Sequence, residues 1–222
     1  MPKKTFFNLP EQKRQLIEEV AAEEFAKYGY QAFSITKIVK LADIAKGSFY
    51  QYFKDKHDLF MHLVNMAEKE KMAFLKDRQL SKQEGKDLFG YLRWLFKEGF
   101  EYASIKSQLN QAVSRVMLGE GLFLDESFKK MRKASSQMFK EMFEQACKNG
   151  IIENNIHPSV AAFIVEVIFN SLGLFILNQQ KVNQKDLLQD SIDWLCSERS
   201  QQILEEILYI LENGMGKRTE NN

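Results

Sequence analysis

Cysteine, proline and glycine are all scarce in this chain. Two cysteines, Cys147 and Cys196, cannot build a disulfide framework and match no metal-ligand spacing, which points to a reducing compartment and buried thiols. Three prolines and eleven glycines in 222 residues are too few to turn a chain every ten residues or so, which disfavours sandwiches and barrels. An excess of one charge sign is missing too: 31 Lys+Arg against 30 Asp+Glu leave a net charge of +1, so any basic patch must be local. No apolar stretch of secretory length follows Met1-Pro2-Lys3-Lys4, so a signal peptide is not expected. The one long apolar run, Val160 to Leu177, is interrupted by Glu166, Asn170 and Ser171. A mid-span acid costs about 2.5 kcal/mol in lipid, so the run reads as a doubly buried helix of a cytoplasmic protein with no membrane partner. There is no phosphate-binding glycine loop and no Cys/His cluster, and His57 and His62 are not at the four-residue spacing that sets two ligands on one helical face. No enzyme, cofactor or metal is expected.

What is present is helical periodicity. Asn8 and Glu11 suggest a capping box around Pro10, and Ile17, Val20, Ala21, Phe25 and Tyr28 recur at helical spacing until Gly29 supplies a stop. Ser34 is placed to cap a short helix with Ile35, Ile38, Val39 and Leu41 on its apolar face. After Ala42-Asp43-Ile44 a third helix runs from near Ala45 to about Phe53, and a fourth from about His57 toward Arg78. Later helices are expected near 84–102, 104–118, 125–149, 158–180, 184–196 and 199–213. Asp125 is a cap, Asn149-Gly150 a stop, and Pro158 a first-turn residue behind His157. The first few residues and Met215 to Asn222 read as disordered. The class is all-α: an N-terminal three-helix helix-turn-helix domain over residues 1–56, then a larger antiparallel helical domain for ligand binding and dimerisation over 57–214, and a tail over 215–222.

Two short helices joined by about four residues are the pattern of a helix-turn-helix. Phe49 and Phe53 are four apart and share one face, placed to meet Ile38, Leu41 and Ile44. Lys46, Gly47, Ser48, Tyr50, Gln51 and Tyr52 are left outside. They are hydrogen-bond donors and one glycine, which costs about 1 kcal/mol in a helix but lets another surface approach the backbone. Phosphate is a fitting partner for that set.

From Thr36 to Phe60 the chain resembles the DNA-binding signature of the TetR family of transcriptional regulators. The resemblance lies in Lys46-Gly47-Ser48-Phe49-Tyr50, the Tyr52-Phe53 pair, Lys56 and Leu59-Phe60, with Phe25 to Tyr30 and Ser34 upstream; it covers roughly residues 8 to 62. Two positions depart from it, Asp43 where the family often has glycine and Ala45 where it often has serine. The resemblance implies that Gly47, Tyr50, Tyr52 and Lys56 hold phosphates of a double-stranded operator. It places Lys46, Ser48 and Gln51 nearest the base edges, with Thr36 opening the same surface. Lys3 and Lys4 are candidates for an arm into an adjacent groove, although a disordered terminus is the simpler reading.

The second region suggests partners. The helix from Pro158 is apolar nearly all round, with Val160, Phe163, Ile164, Val167, Ile168, Leu172, Phe175 and Ile176, and the last helix is similar. One side of each would face the core and the other a twin subunit, giving a homodimer through residues 158–213, which the resemblance also implies. The middle helices are rich in aromatic and Met side chains. Trp94, Phe100, Met138, Met142, Phe169 and Asn170 are the candidate lining for a small apolar or amphipathic effector, with Glu166 as a candidate anchor for a cationic group. The reading is a ligand-responsive regulator, a repressor released from a palindromic operator by its effector. The alternative is an all-α sensor or carrier that no longer binds DNA.

Overall fold

The computed structural model describes residues 2–78, 87–104, 108–110, 112–113, 126–152, 155–180 and 196–215. The expected helix at 184–196, most of the one at 104–118, the Asp125 cap and the tail beyond Met215 lie outside them. Among the described residues there are helices and no strand. They form two compact units, one holding residues up to Asp77 and the other most of the rest.

In the first unit α1 (Lys4–Phe7), α2 (Glu11–Ala32), α3 (Ile35–Leu41), α4 (Lys46–Tyr52) and α5 (Lys56–Asp77) surround an aromatic core. Phe25 stacks on Phe33 with ring centroids 4.0 Å apart and meets Phe60 at 5.0 Å. Phe6, Ile17, Ile38, Phe49, Phe53 and Leu59 are fully buried. Helices as short as α3 and α4 are unstable alone, so this burial is what holds them. α5 groups with this unit, Phe60 meeting the rings of Phe25 and Tyr30 at 5.0 and 5.4 Å.

Local chemistry explains the breaks. Gly29 has φ 72° and ψ 177°, a region open only to glycine, and bends α2 three residues before its end. The α3–α4 turn is a Schellman arrangement in which the N–H of Ile44 reaches the carbonyl of Val39 at 2.9 Å and Asp43 sits at φ 49°. Lys13 of α2 closes the turn, its ammonium donating to the carbonyls of Ala42 and Asp43 at 2.9 Å each.

Three expectations are corrected here. The first residues are ordered: Lys4–Phe7 is a helical turn, fixed by Phe6 inside the aromatic core. Asn8 is therefore the C-cap of α1 and makes no capping box; the residue before α2 is Pro10, with no side-chain cap. Leu41 is 51% exposed, because the chain turns at the end of α3 and Ala42, fully buried, takes the core position.

The second unit contains α6 (Leu88–Ser104), α7 (Glu126–Lys148), α8 (Pro158–Gln179) and α9 (Glu198–Met215). Leu92, Phe139, Phe143, Val165, Ile176 and Leu208 are fully buried, and the Phe169 ring meets those of Phe96 and Phe139 at 5.2 and 5.7 Å. Gly150, at φ 69°, ends α7 with the N–H of Ile151 bonded to the carbonyl of Ala146, as its position predicts. His157 caps α8, accepting the N–H of Ser159 at 3.3 Å, and Ser197 caps α9, accepting that of Ser200 at 3.2 Å. Met215, expected in the tail, is the buried last residue of α9.

Candidate nucleic-acid interface

The α3–α4 pair presents one apolar and one polar face, and the packing fixes which is which. Phe49 and Phe53 have no exposed surface, and their rings lie 5.4 Å apart. Lys46, Gly47, Tyr50 and Gln51 are therefore turned outward, with Ser48 and Tyr52 half-buried and Thr36 exposed on α3. A Cβ built on Gly47 meets nothing within 4 Å, and its backbone is not in the left-handed region. Among the described residues nothing requires glycine there.

Ala45 occupies the N-cap of α4, in extended conformation and with no side-chain cap, as expected of alanine. At the other end residues 3 and 5 meet the carbonyls of Tyr50, Gln51 and Tyr52. Lys56 is placed differently from its seven companions. Its ammonium donates to the carbonyl of Tyr30 at 3.0 Å and sits 4.7 Å over the Tyr30 ring, so it closes the end of α2.

α3 is anchored by charge as well as by its apolar face. Glu24, 4% exposed, pairs with Lys37 at 2.8 Å, and the same ammonium donates to the Tyr28 hydroxyl at 2.8 Å and lies 4.0 Å over its ring. The hydrogen bond to Glu24, then that to Tyr28, raises the Lys37 pKa, and the bond from Lys37 lowers that of Tyr28. Sequence reasoning missed this trio, because the three residues share a site only once α2 and α3 cross.

The effector candidates separate into three places. Met138 and Met142 line a cavity of about 310 Å³ with Leu88, Tyr91, Ala146 and Ile151, and Asp87, Gln145 and Asn149 at polar positions. Burial there pushes the Tyr91 phenol up and keeps it neutral. Asp87 accepts the N–H groups of Phe89 and Gly90 at 3.1 and 3.2 Å, capping α6. Trp94 touches Tyr91, ring centroids 5.6 Å apart, but neither it nor Phe100 lines the cavity. Phe169 contacts the rings of Phe96 and Phe139, Glu166 is half-buried, and Asn170 is exposed one turn from Val167 and Leu174. Among the described residues no three His, Cys, Asp or Glu side chains group closely enough to hold a metal.

A short helix turned outward by its aromatic face, beside a second short helix and a left-handed turn, defines a helix-turn-helix protein. Residues 17–63 match the profile of the bacterial regulatory proteins of the tetR family. A TetR family transcriptional regulator from Chloroflexus aurantiacus J-10-FL, known from its crystal structure, is 35% identical with a TM-score of 0.73, over 98% of this chain and all of that one. The HTH-type transcriptional regulator YhgD of Bacillus subtilis (strain 168) is 25% identical over 165 residues, 72% of this chain and 82% of YhgD. The transcriptional regulator FadR of Bacillus subtilis, solved in complex with stearoyl-CoA, shares the fold at 16% identity and a TM-score of 0.63, over 90% of this chain and 98% of FadR. The chain belongs to the TetR family of transcriptional regulators, with its helix-turn-helix in the first unit.

Proposed function

We propose that the protein is a cytoplasmic repressor that binds a palindromic double-stranded operator as a homodimer and leaves it when a small, largely apolar effector binds. The outward face of α4 carries this reading. Gly47, Tyr50 and Tyr52 suit phosphate oxygens, while Lys46, Ser48 and Gln51 suit base edges, Gln51 as a bidentate partner of adenine. Lys56 retains donor capacity beyond the α2 carbonyls it caps, and Thr36 borders the same surface.

The dimer is supported by apolar surface on α8 and α9. Val160, Phe163, Val167, Leu174 and Phe175 are 40–63% exposed at helical spacing, and Tyr209 and Ile210 are each 67% exposed. α8 is also long and apolar enough to cross a membrane by length and composition. Family membership favours a twin subunit as its cover. The effector class is supported by the cavity beside Met138 and Met142, whose lining is chiefly apolar with a neutral Tyr91 hydroxyl. That FadR was solved with stearoyl-CoA agrees with an apolar class. An effector that prefers one spacing of the two reading heads releases DNA through its differential affinity for the two arrangements.

Selection of a duplex from a randomised library tests the reading, followed by two variants. Tyr50→Phe should weaken all duplexes alike, and Gln51→Ala should relax preference at one base pair by about 1 to 3 kcal/mol. Recovery of no duplex at low salt would favour the sensor without DNA binding.

A further inference from the structure

A helix leaves its last four carbonyls without partners of its own, and most helices settle them with glycine or water. α4 has no glycine at that end: Phe53 follows in extended conformation. Its four carbonyls are nevertheless all occupied. Phe49 is met by the N–H of Phe53 at 2.8 Å, Tyr50 by the Lys3 ammonium at 2.7 Å, Gln51 by the Thr5 hydroxyl, and Tyr52 by the Lys3 backbone N–H at 2.8 Å. Three of the four partners thus come from one segment, 46 or more residues away in sequence. The Lys3 charge also lies at the negative end of the helix dipole.

That segment is itself fixed. Phe6 has no exposed surface, and its ring lies 4.8 Å from that of Phe53 and 5.4 Å from that of His62. Arg14 of α2 donates to the carbonyl of Phe7 at 2.9 Å, closing α1, and Pro2 is buried. Residues 2–7 therefore form a rigid clip on the last turn of α4, the turn that carries Tyr50, Gln51 and Tyr52.

We propose that Lys3, Thr5 and Phe6 are positioning residues for operator reading: they hold the last turn of α4 helical, so that Tyr50 and Gln51 meet DNA in fixed positions. This rests on the operator reading above. The contacts place the segment on the helix: the Lys3 ammonium donates to the Tyr50 carbonyl and the Lys3 backbone N–H to that of Tyr52. The contrasting role is a loose basic arm on phosphates, and the two differ in salt dependence. Loss of a phosphate contact lowers the slope of log affinity against log salt by about 1, whereas loss of a helix cap leaves it unchanged.

The test uses the full-length chain with Thr5→Val, Thr5→Ser and Lys3→Met, none of which disturbs Phe6, and a duplex selected by the unmodified protein. Amide exchange in the free protein should quicken at residues 51–53 in Thr5→Val and Lys3→Met. Affinity for the duplex should fall about three- to tenfold, the equilibrium ratio of one net hydrogen bond. The salt slope should stay constant, base preference opposite Gln51 should broaden, and Thr5→Ser should restore all of these. Unchanged exchange with a reduced salt slope in Lys3→Met would make Lys3 a phosphate contact and overturn the inference. So would unchanged binding of the selected duplex by both variants. Failure of the unmodified protein to select any duplex overturns the operator reading and the inference together, while the exchange rates still report whether the cap exists.

Discussion

Gly47 and Asp43 show opposite relations between a residue and its fold. Gly47 lies in a helix where an added methyl would meet only open space. Gly47→Ala should therefore raise stability by up to about 1 kcal/mol in thermal melts. The same methyl should weaken the selected duplex by about 1 to 3 kcal/mol, the cost of overfilling a packed interface. A variant that melts higher and binds DNA equally well would remove the argument for close approach at this position. Asp43, at φ 49°, occupies a conformation that costs a non-glycine residue roughly 1 kcal/mol or more. Asp43→Gly should raise the melting temperature modestly, the gain being offset by the greater freedom of glycine in the unfolded chain, and should leave DNA affinity unchanged. The turn between two short helices was legible from the length of their link, and its left-handed residue is one that Asp tolerates better than most. The destination of the Lys56 ammonium was not legible, since a lysine stem reaches in several directions and only the folded end of α2 supplies its carbonyls.

At the scale of elements, periodicity located every long helix that is described to within a few residues. α2, α5, α7, α8 and α9 each carry apolar residues on a repeating face and end at glycine, proline or polar signals. α1 escaped because a single turn has no period; it exists through the burial of Phe6, a tertiary effect. Missing it also misassigned Asn8, which offers the same chemistry as an N-cap to α2 and as a terminator to α1. The uncapped start of α4 yields a prediction. Ala45 has an extended backbone suited to an N-cap and no side-chain oxygen to accept the N–H groups of the first turn. Ala45→Ser should stabilise the first unit by about 1 kcal/mol, read as a shift in denaturant midpoint with unchanged slope. A midpoint that does not move would mean that solvent already satisfies that end of the helix as well as a serine would.

For the whole molecule, sequence spacing shows which residues share a helical face and leaves open which faces converge. Met138 and Met142 share one face of α7 and line one cavity, whereas Glu166, Phe169 and Asn170, neighbours on α8, divide between a half-buried site, an aromatic contact and the surface. A helix apolar nearly all round conceals this division, because every one of its sides looks like core. The exposed side of α8 leads to the last prediction. Phe163 is 63% exposed and forms a ridge with Val160, Val167 and Leu174, and Ile210 on α9 is as open. Apolar patches larger than a few hundred Å² are rare on monomers, and obligate dimers cover about 2,000 Å² or more. The unmodified protein should therefore sediment as a dimer at micromolar concentration. Phe163→Glu places a charge where a twin subunit would desolvate it, and should give folded monomers, because the residue contributes little to the core of its own subunit. Loss of the dimer turns one bivalent contact into two separate half-site contacts, so affinity for a palindromic duplex should fall by about 10² to 10⁴-fold while affinity for a half-site is retained. A Phe163→Glu protein that remains dimeric and binds the full palindrome undiminished would move the interface off α8.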